Sequence, residues 1–350
     1  MDTDRGTPVD AEGFELATLA ARYKRTVLAT CCIPWRDAGR ELADEDLFSA
    51  SIESLVERGF TDLYIFGTAG EGHNVDDQTF RRITELFVSE VRRLKATPMV
   101  GVISTSLSTM LDRIEFAAGI GCRVFQFAYA GWGSLNDKEL FSLFRAVCGR
   151  YPELEFIHYN LWRSGRVVLP REYAKLAGEN PNLVGTKYGA GNPEIVTGLV
   201  TQAAVLQHFF TELGFYYGSA VGECSLLASI SSTNPRAARS YFQAGVDRDL
   251  PTLTDLYSEL AEMMVSLRTA VGNGPHSDAA YDKVISKVND SRFPLDLLPP
   301  YQGASEEAYQ NYREDLVAQH ARWIEESQLR IAPLEAEPTD LSYRAKTPEV

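Results

Sequence analysis

The stretch Leu183-Val184-Gly185-Thr186-Lys187 is one of eight short apolar runs along the chain, and it ends in a lysine. Each is rich in β-branched or aromatic residues and is followed by an amphipathic stretch. This alternation is typical of parallel βα units. The predicted strands are residues 27–33, 62–66, 99–103, 123–127, 155–159, 183–187, 206–211 and 226–230.

Eight units is the number that closes an α/β (β/α)8 TIM barrel. The strand starts lie about 20 to 36 residues apart, which suits one strand, one helix and two short loops. An open doubly wound sheet would show the same alternation, so periodicity alone leaves both folds open. The count and the motifs described below favour the barrel.

After Asn234 the strand pattern stops, and helices are predicted over residues 235–244, 250–269, 278–288 and 306–326. They predict a C-terminal helical extension of the barrel. We divide the chain into an N-terminal extension (1–22), the barrel (23–248), a C-terminal helical domain (249–330) and a flexible, proline-containing tail (331–350).

Composition excludes several classes of protein. With 45% hydrophobic and 23% charged residues, the 350-residue chain resembles an ordinary globular protein, and its net charge of −14 disfavours binding to nucleic acid. No apolar stretch reaches the ~20 residues that span a bilayer, and the first residues do not resemble a signal peptide. We expect a cytoplasmic protein that binds neither membrane nor nucleic acid.

The five cysteines are odd in number and lack C-x-x-C spacing, so neither a zinc site nor a disulfide framework is predicted. Two of them, Cys31 and Cys32, lie in an apolar run and are interpreted as small buried hydrophobic residues.

Chemistry in a parallel barrel gathers at the C-terminal ends of the strands, and Lys187 ends the sixth predicted strand. Desolvation there would lower the pKa of its ammonium and free an amine that can form an imine with a ketone. A solvated loop lysine is the alternative interpretation. Tyr159 ends the fifth strand, where its phenol could transfer protons, although a tyrosine at a strand end is more often merely packed.

The second strand ends in Gly67-Thr68-Ala69-Gly70-Glu71, a turn of small residues. Its backbone N–H groups could bind a carboxylate, and its glycines would let a substrate approach the chain closely. Alone the motif is weak, because most such turns are plain loops. We expect Glu71 to hold the loop by hydrogen bonds rather than to act as an acid.

Together these segments resemble the dihydrodipicolinate synthase and N-acetylneuraminate lyase superfamily of class I aldolases. Gly67-Thr68-Ala69-Gly70-Glu71 resembles its G-[TS]-[TS]-G-E motif, Tyr159-Asn160 its Y-N, and Gly185-Thr186-Lys187 its G-[IV]-K strand. Weaker similarities, such as Arg163-Ser164-Gly165, extend the resemblance over roughly residues 23–244.

The resemblance implies that Lys187 forms the imine with a 2-oxo acid and that Tyr159 moves protons, with Thr68 as a relay. The N–H groups of Thr68 and Ala69 would hold the substrate carboxylate beside Gly67. No metal or organic cofactor would be needed, since the imine is itself the electron sink. Assembly into a homodimer or homotetramer is also implied.

The sequence departs from the family pattern around the second substrate. Ala69 replaces a hydroxyl residue, and the loop after Tyr159 is one residue shorter. Arg163 resembles the arginine that binds the carboxylate of the aldehyde substrate, although an exposed loop arginine is as good an interpretation. Trp132 is predicted to line the pocket or reach a neighbouring subunit, and Leu227 to contact substrate.

The leading hypothesis is therefore a lyase that joins or splits pyruvate, or a related 2-oxo acid, and an aldehyde. An alternative keeps the imine but dehydrates a sugar acid or cleaves an aromatic enone as a hydratase–aldolase. A third possibility, suggested by Ala69, is a barrel that binds a ligand without catalysis.

Overall fold

Eight parallel strands form a closed barrel at the centre of the fold. The computed structural model describes residues 21–325 except 130, 132, 273 and 275. The barrel strands are β1 (Val27–Thr30), β4 (Asp62–Ile65), β5 (Thr97–Gly101), β6 (Val124–Phe127), β7 (Glu155–Tyr159), β8 (Leu183–Tyr188), β9 (Gln207–Phe210) and β10 (Ser225–Ala228). Around the barrel the strand order is β1-β10-β9-β8-β7-β6-β5-β4, and β4 closes onto β1.

The predicted barrel is thereby confirmed, with small shifts at the strand ends. The largest correction concerns β1, which ends at Thr30 and not at residue 33. Its chain continues into a short antiparallel hairpin of β2 (Trp35–Asp37) and β3 (Leu42–Ala43), which was not predicted. The side chain of Trp35 is buried, so the hairpin anchors the chain beside the barrel.

A helix follows each barrel strand and covers the outside of the sheet. Most begin at a side-chain cap; Asn136, for example, accepts a bond from Glu139 N–H and forms a capping box with that residue. The helices are α1 (Glu45–Glu57), α2 (Asp77–Arg93), α3 (Leu107–Gly119), α4 (Asp137–Cys148), α5 (Pro170–Glu179), α6 (Pro193–Gln202), α7 (Glu212–Val221) and α8 (Pro235–Asp247).

Up to residue 325, the C-terminal extension contains three further helices: α9 (Leu250–Val271), α10 (Asp278–Asn289) and α11 (Glu306–Gln319). The helix predicted over residues 306–326 is wrong beyond Gln319, where a 3-10 turn (Ala321–Trp323) follows. The chain turns there because Trp323 is fully buried and its Nε1 donates a 2.9 Å bond to Glu259.

Two hydrophobic layers stabilise the barrel. One lies inside it and includes Leu28, Met99, Val124, Ile157 and Phe209; the other lies between the sheet and its helices. Because close packing fills the lower interior, only the C-terminal ends of the strands are left to enclose a ligand.

The five cysteines are buried and free, as the prediction for Cys31 and Cys32 required. No helix in the described part of the chain combines the length and the apolar composition needed to cross a bilayer. The predicted domain divisions stay predictions, and most of the N-terminal extension and all of the tail lie outside the described residues.

Candidate active site

Lys187 lies at the end of β8 with only 2% of its surface exposed. Strand register places it between Tyr159 on β7 and Phe209 on β9. Its Nζ donates a 2.7 Å hydrogen bond to the hydroxyl of Tyr64 and lies 3.9 Å from the ring centre of Tyr159. The lysine is therefore inside the barrel mouth and not in a solvated loop.

Burial lowers the pKa of Lys187 from 10.5 to about 7, and the charges of Asp278 and Asp282 oppose this shift only in part. Lys283 is also buried, but its Nζ lies 3.1 Å from Oε2 of Glu71. The salt bridges of the described residues do not include Lys187. Of these two buried lysines, Lys187 is the one poised to lose its proton near neutral pH.

Tyr159 and Thr68 lie within hydrogen-bond distance, with 3.3 Å between their hydroxyl oxygens. Burial raises the pKa of Tyr159, so its phenol is protonated in the resting site. Asn160, the next residue, fixes the following loop through two 2.9 Å bonds with the backbone of Val168. The strand end and its loop are thus held in one arrangement.

The turn after β4 combines strained and closely packed backbone. Phe66 and Glu71 have positive φ angles of 59° and 56°, which are uncommon for residues with side chains. A Cβ atom on Gly67 would lie 2.6 Å from the ring of Tyr64 and 3.2 Å from Lys187 Nζ, so only glycine fits. The turn is therefore pressed directly against the lysine.

Glu71 holds this turn, as predicted. Its carboxylate accepts bonds from Trp35 Nε1 at 2.6 Å and from Leu298 N–H at 2.7 Å, and it pairs with Lys283. Lys283 also donates to the carbonyl of Asp296. These contacts connect the turn to the hairpin and to α10.

A cavity of about 800 Å³ opens above Lys187. Its floor and sides come from the barrel, and its outer wall comes from α9 and α10 of the C-terminal extension. The lining includes Thr30, Tyr64, Thr68, Ala69, Ile103, Tyr159, Arg163, Lys187, Leu227, Ser229, Met264, Leu267, Asp278, Tyr281, Asp282 and Ile285.

Two carboxylates of α10 face this cavity, and their environments differ. Asp278 forms a two-pronged ion pair with Arg163, at 2.8 and 3.0 Å. Burial raises the pKa of Asp278, but hydrogen bonds from Arg163 and Thr68 outweigh it and lower the pKa overall. Asp282 accepts a 2.6 Å bond from Ser229, and burial raises its pKa to about 7.

The comparisons with known proteins agree with this architecture. A model of the dihydrodipicolinate synthetase family matches residues 24–291. This chain belongs to that family. The resemblance found in the sequence is thereby confirmed.

Curated relatives of the family are distant. Proteins named 4-hydroxy-tetrahydrodipicolinate synthase include one from Nitratidesulfovibrio vulgaris, 23% identical over 230 residues, covering 63% of this chain and 76% of that protein. A second, from Methanopyrus kandleri, is 24% identical and covers 83% and 94%. The solved structure of YagE, a prophage protein of E. coli K12 in the same family, has a TM-score of 0.75 at 14% identity and covers 84% of this chain and 98% of its own. That structure was determined with pyruvate bound.

Five residues predicted from the family motifs lie together around the cavity at Lys187. Lys187, Tyr159, Thr68 and Ala69 line the cavity, and Gly67 lies against the lysine. Leu227 and Arg163 also line it, while Trp132 lies outside the described residues. The catalytic and binding roles of all eight stay predictions.

Sequence reasoning missed Tyr64, Ser229, Asp278 and Asp282. Asp278 and Asp282 are four residues apart on a predicted helix, a spacing that places both on one helical face. That signal was available, but nothing in the sequence showed that this face covers the barrel mouth. Among the described residues, no group of three or more His, Cys, Asp or Glu side chains could hold a metal ion.

Proposed function

We propose that this protein is a lyase of the dihydrodipicolinate synthetase family that binds pyruvate, or a related 2-oxo acid, as an imine on Lys187 and forms or breaks a carbon–carbon bond to an aldehyde. The observation that carries the proposal is the buried amine of Lys187, whose pKa is lowered to about 7 at the floor of a cavity. At neutral pH about half of it is available as a nucleophile.

The chain offers a group for each step. The amine of Lys187 attacks the ketone carbon, and the resulting carbinolamine loses water to give the imine. Loss of a proton from the adjacent methyl group gives an enamine, which attacks the aldehyde carbon. Tyr159, with Thr68 behind it, donates a proton to the new alkoxide, and water then releases the product and restores the amine.

The turn at Gly67–Gly70 supports the same assignment, because Thr68 and Ala69 line the cavity beside the lysine and small residues of this kind let a carboxylate approach backbone N–H groups. The curated relatives are named as synthases, and YagE was crystallised with pyruvate. At 23 to 24% identity these relatives support the reaction class and leave the second substrate open.

The proposal is tested by incubating the protein with pyruvate, reducing with borohydride and measuring the intact mass. We expect a gain equal to one pyruvic acid less one oxygen atom, located on the Lys187 peptide. Lys187→Arg keeps a cation but cannot form the imine, so its mass should not change. Lys175→Arg, at an exposed position on α5, is the matched control and should react like the wild type.

Absence of the adduct on wild-type protein, or its location on Lys283, would overturn the proposal. Supplying pyruvate with a panel of aldehydes, and separately supplying hydroxylated 2-oxo acids, distinguishes addition from the dehydration considered as an alternative.

A further inference from the structure

The part of the cavity opposite Lys187 is built by a helix outside the barrel. Asp278 and Asp282 lie one turn apart on α10 and both line the cavity. The next residue, Lys283, forms the buried pair with Glu71, which ties this helix to the turn beside Lys187. The two carboxylates are thus fixed relative to the reacting amine.

We propose that the second substrate is an uncharged aldehyde bearing hydroxyl groups, that Asp282 with Ser229 receives one of those hydroxyls, and that the Asp278–Arg163 pair excludes an aldehyde carrying a carboxylate. This inference rests on the proposed imine chemistry and names the class of its second substrate.

Asp282 is suited to accept a hydroxyl. Ser229 donates to its Oδ1 at 2.6 Å, which fixes the carboxylate while leaving capacity for further donors. Because the group is buried, a ligand hydroxyl there replaces water in a medium of low polarity, where hydrogen bonds are strong. Nearby lining residues such as Ile285 and Met264 are apolar and accommodate the carbon chain.

Arg163 is already paired with Asp278, and this pairing disfavours an aldehyde that carries a carboxylate. Two of its nitrogens donate to the two oxygens of Asp278, and each side chain is about one-third exposed. A substrate carboxylate that bonded to the remaining N–H groups of Arg163 would lie beside the carboxylate of Asp278, and like charges at that distance repel. The guanidinium is already neutralised by Asp278 and attracts a second carboxylate only weakly.

His73 and Arg268 also line the cavity, and neither of them substitutes for Arg163. Burial lowers the pKa of His73, which is therefore neutral at physiological pH. Arg268 on α9 is exposed, so water and salt screen its charge. A carboxylate on the aldehyde, placed beside α10, would lie next to Asp278 and Asp282, and Arg163 there is already paired with Asp278.

The test compares three aldehydes with pyruvate as the common partner: glyceraldehyde, butanal and succinate semialdehyde. We expect kcat/KM to be highest for glyceraldehyde and at least about tenfold lower for succinate semialdehyde, which lacks the hydroxyl groups and places a carboxylate near Asp278 and Asp282. A wild-type preference for succinate semialdehyde over glyceraldehyde would overturn the inference. The borohydride trapping of pyruvate separates this failure from failure of the imine itself.

Two variants test the residues. Asp282→Asn should lower the glyceraldehyde-to-butanal ratio of kcat/KM at least about tenfold. Asp278→Asn removes the charge that occupies Arg163 and should raise the succinate semialdehyde-to-glyceraldehyde ratio by a similar factor. Asp255→Asn, which makes the same change in an exposed ion pair with Arg322 outside the cavity, should keep the wild-type ratios.

The melting temperature of each variant is measured first, and the ratios are compared for the folded proteins. If Asp282→Asn gives the same ratios as Asp255→Asn, the assignment of the hydroxyl-binding position is wrong. If Asp278→Asn does not raise the succinate semialdehyde-to-glyceraldehyde ratio of kcat/KM, then the Asp278–Arg163 pair does not exclude carboxylates and that part of the inference is wrong.

Discussion

The acidity of Lys187 gives a prediction that can be measured without knowing the second substrate. Its pKa is lowered from 10.5 to about 7 by burial between two tyrosine rings. At pH 7 the reactive amine is therefore about half of the total, against roughly one part in 3,000 for an ordinary lysine. The cost of charging the buried group is about 5 kcal/mol.

The direction of the pH dependence follows from which protonation state of Lys187 reacts with the ketone. Below pH 7 the lysine is an ammonium and cannot attack the ketone, so the rate of imine formation rises with pH and levels off above about 7. The assay incubates protein and pyruvate at pH 5.5 to about 9.5 for short times, quenches every sample into borohydride at one pH, and measures the adduct by mass.

The carboxylates of α10 provide the control. Asp278 and Asp282 raise the pKa of Lys187, so replacing either with asparagine should move the midpoint to lower pH, while Asp255→Asn should leave it unchanged. A rate that continues to rise tenfold per pH unit through pH 9 would refute the reasoning, because it would mean that the amine is solvated like an ordinary lysine.

Three further substitutions follow from the site. Tyr159→Phe removes the proton donor and should lower turnover by about 10² to 10⁴, measured by steady-state kinetics in folded protein. Gly67→Ala places a Cβ 2.6 Å from the ring of Tyr64, so trapping of pyruvate should slow at least about tenfold, and an unchanged rate would show that the turn can yield. Glu71→Gln leaves Lys283 without its counter-ion and should lower the free energy of unfolding by about 3–5 kcal/mol in urea titration, with a loss under 1 kcal/mol arguing against a buried pair.

The barrel could be predicted because each strand is a local signal. Residues 155–159 and 183–187 are short apolar runs between helices, and β7 and β8 lie where those runs predict them. The hairpin containing Trp35 was missed because β2 and β3 are only three and two residues long. Such short strands are stabilised by contacts distant in sequence, here the bond from Trp35 to Glu71, and not by their own pattern.

In the candidate site too, the residues on strand ends could be predicted, whereas those placed by contacts distant in sequence could not. Lys187, Tyr159 and Thr68 could be placed together because barrel topology brings all strand ends to one rim. The position of α10 could not, since it depends on the buried pair between Lys283 and Glu71, 212 residues apart. Arg163 was recognised from its motif, but its partner lies on a helix whose docking the sequence does not state.

The location of α10 has a consequence for how such proteins diversify. The amine and its tyrosines stand on barrel strands, whereas the opposite part of the cavity wall belongs to α10, a helix of the C-terminal extension. Under the proposed function, substitutions on the cavity-facing side of α10 would change the choice of aldehyde, while the groups that form the imine stay on the barrel strands. Exchanging α10 between homologues would then change selectivity and also shift the pKa of Lys187, because its carboxylates act on both.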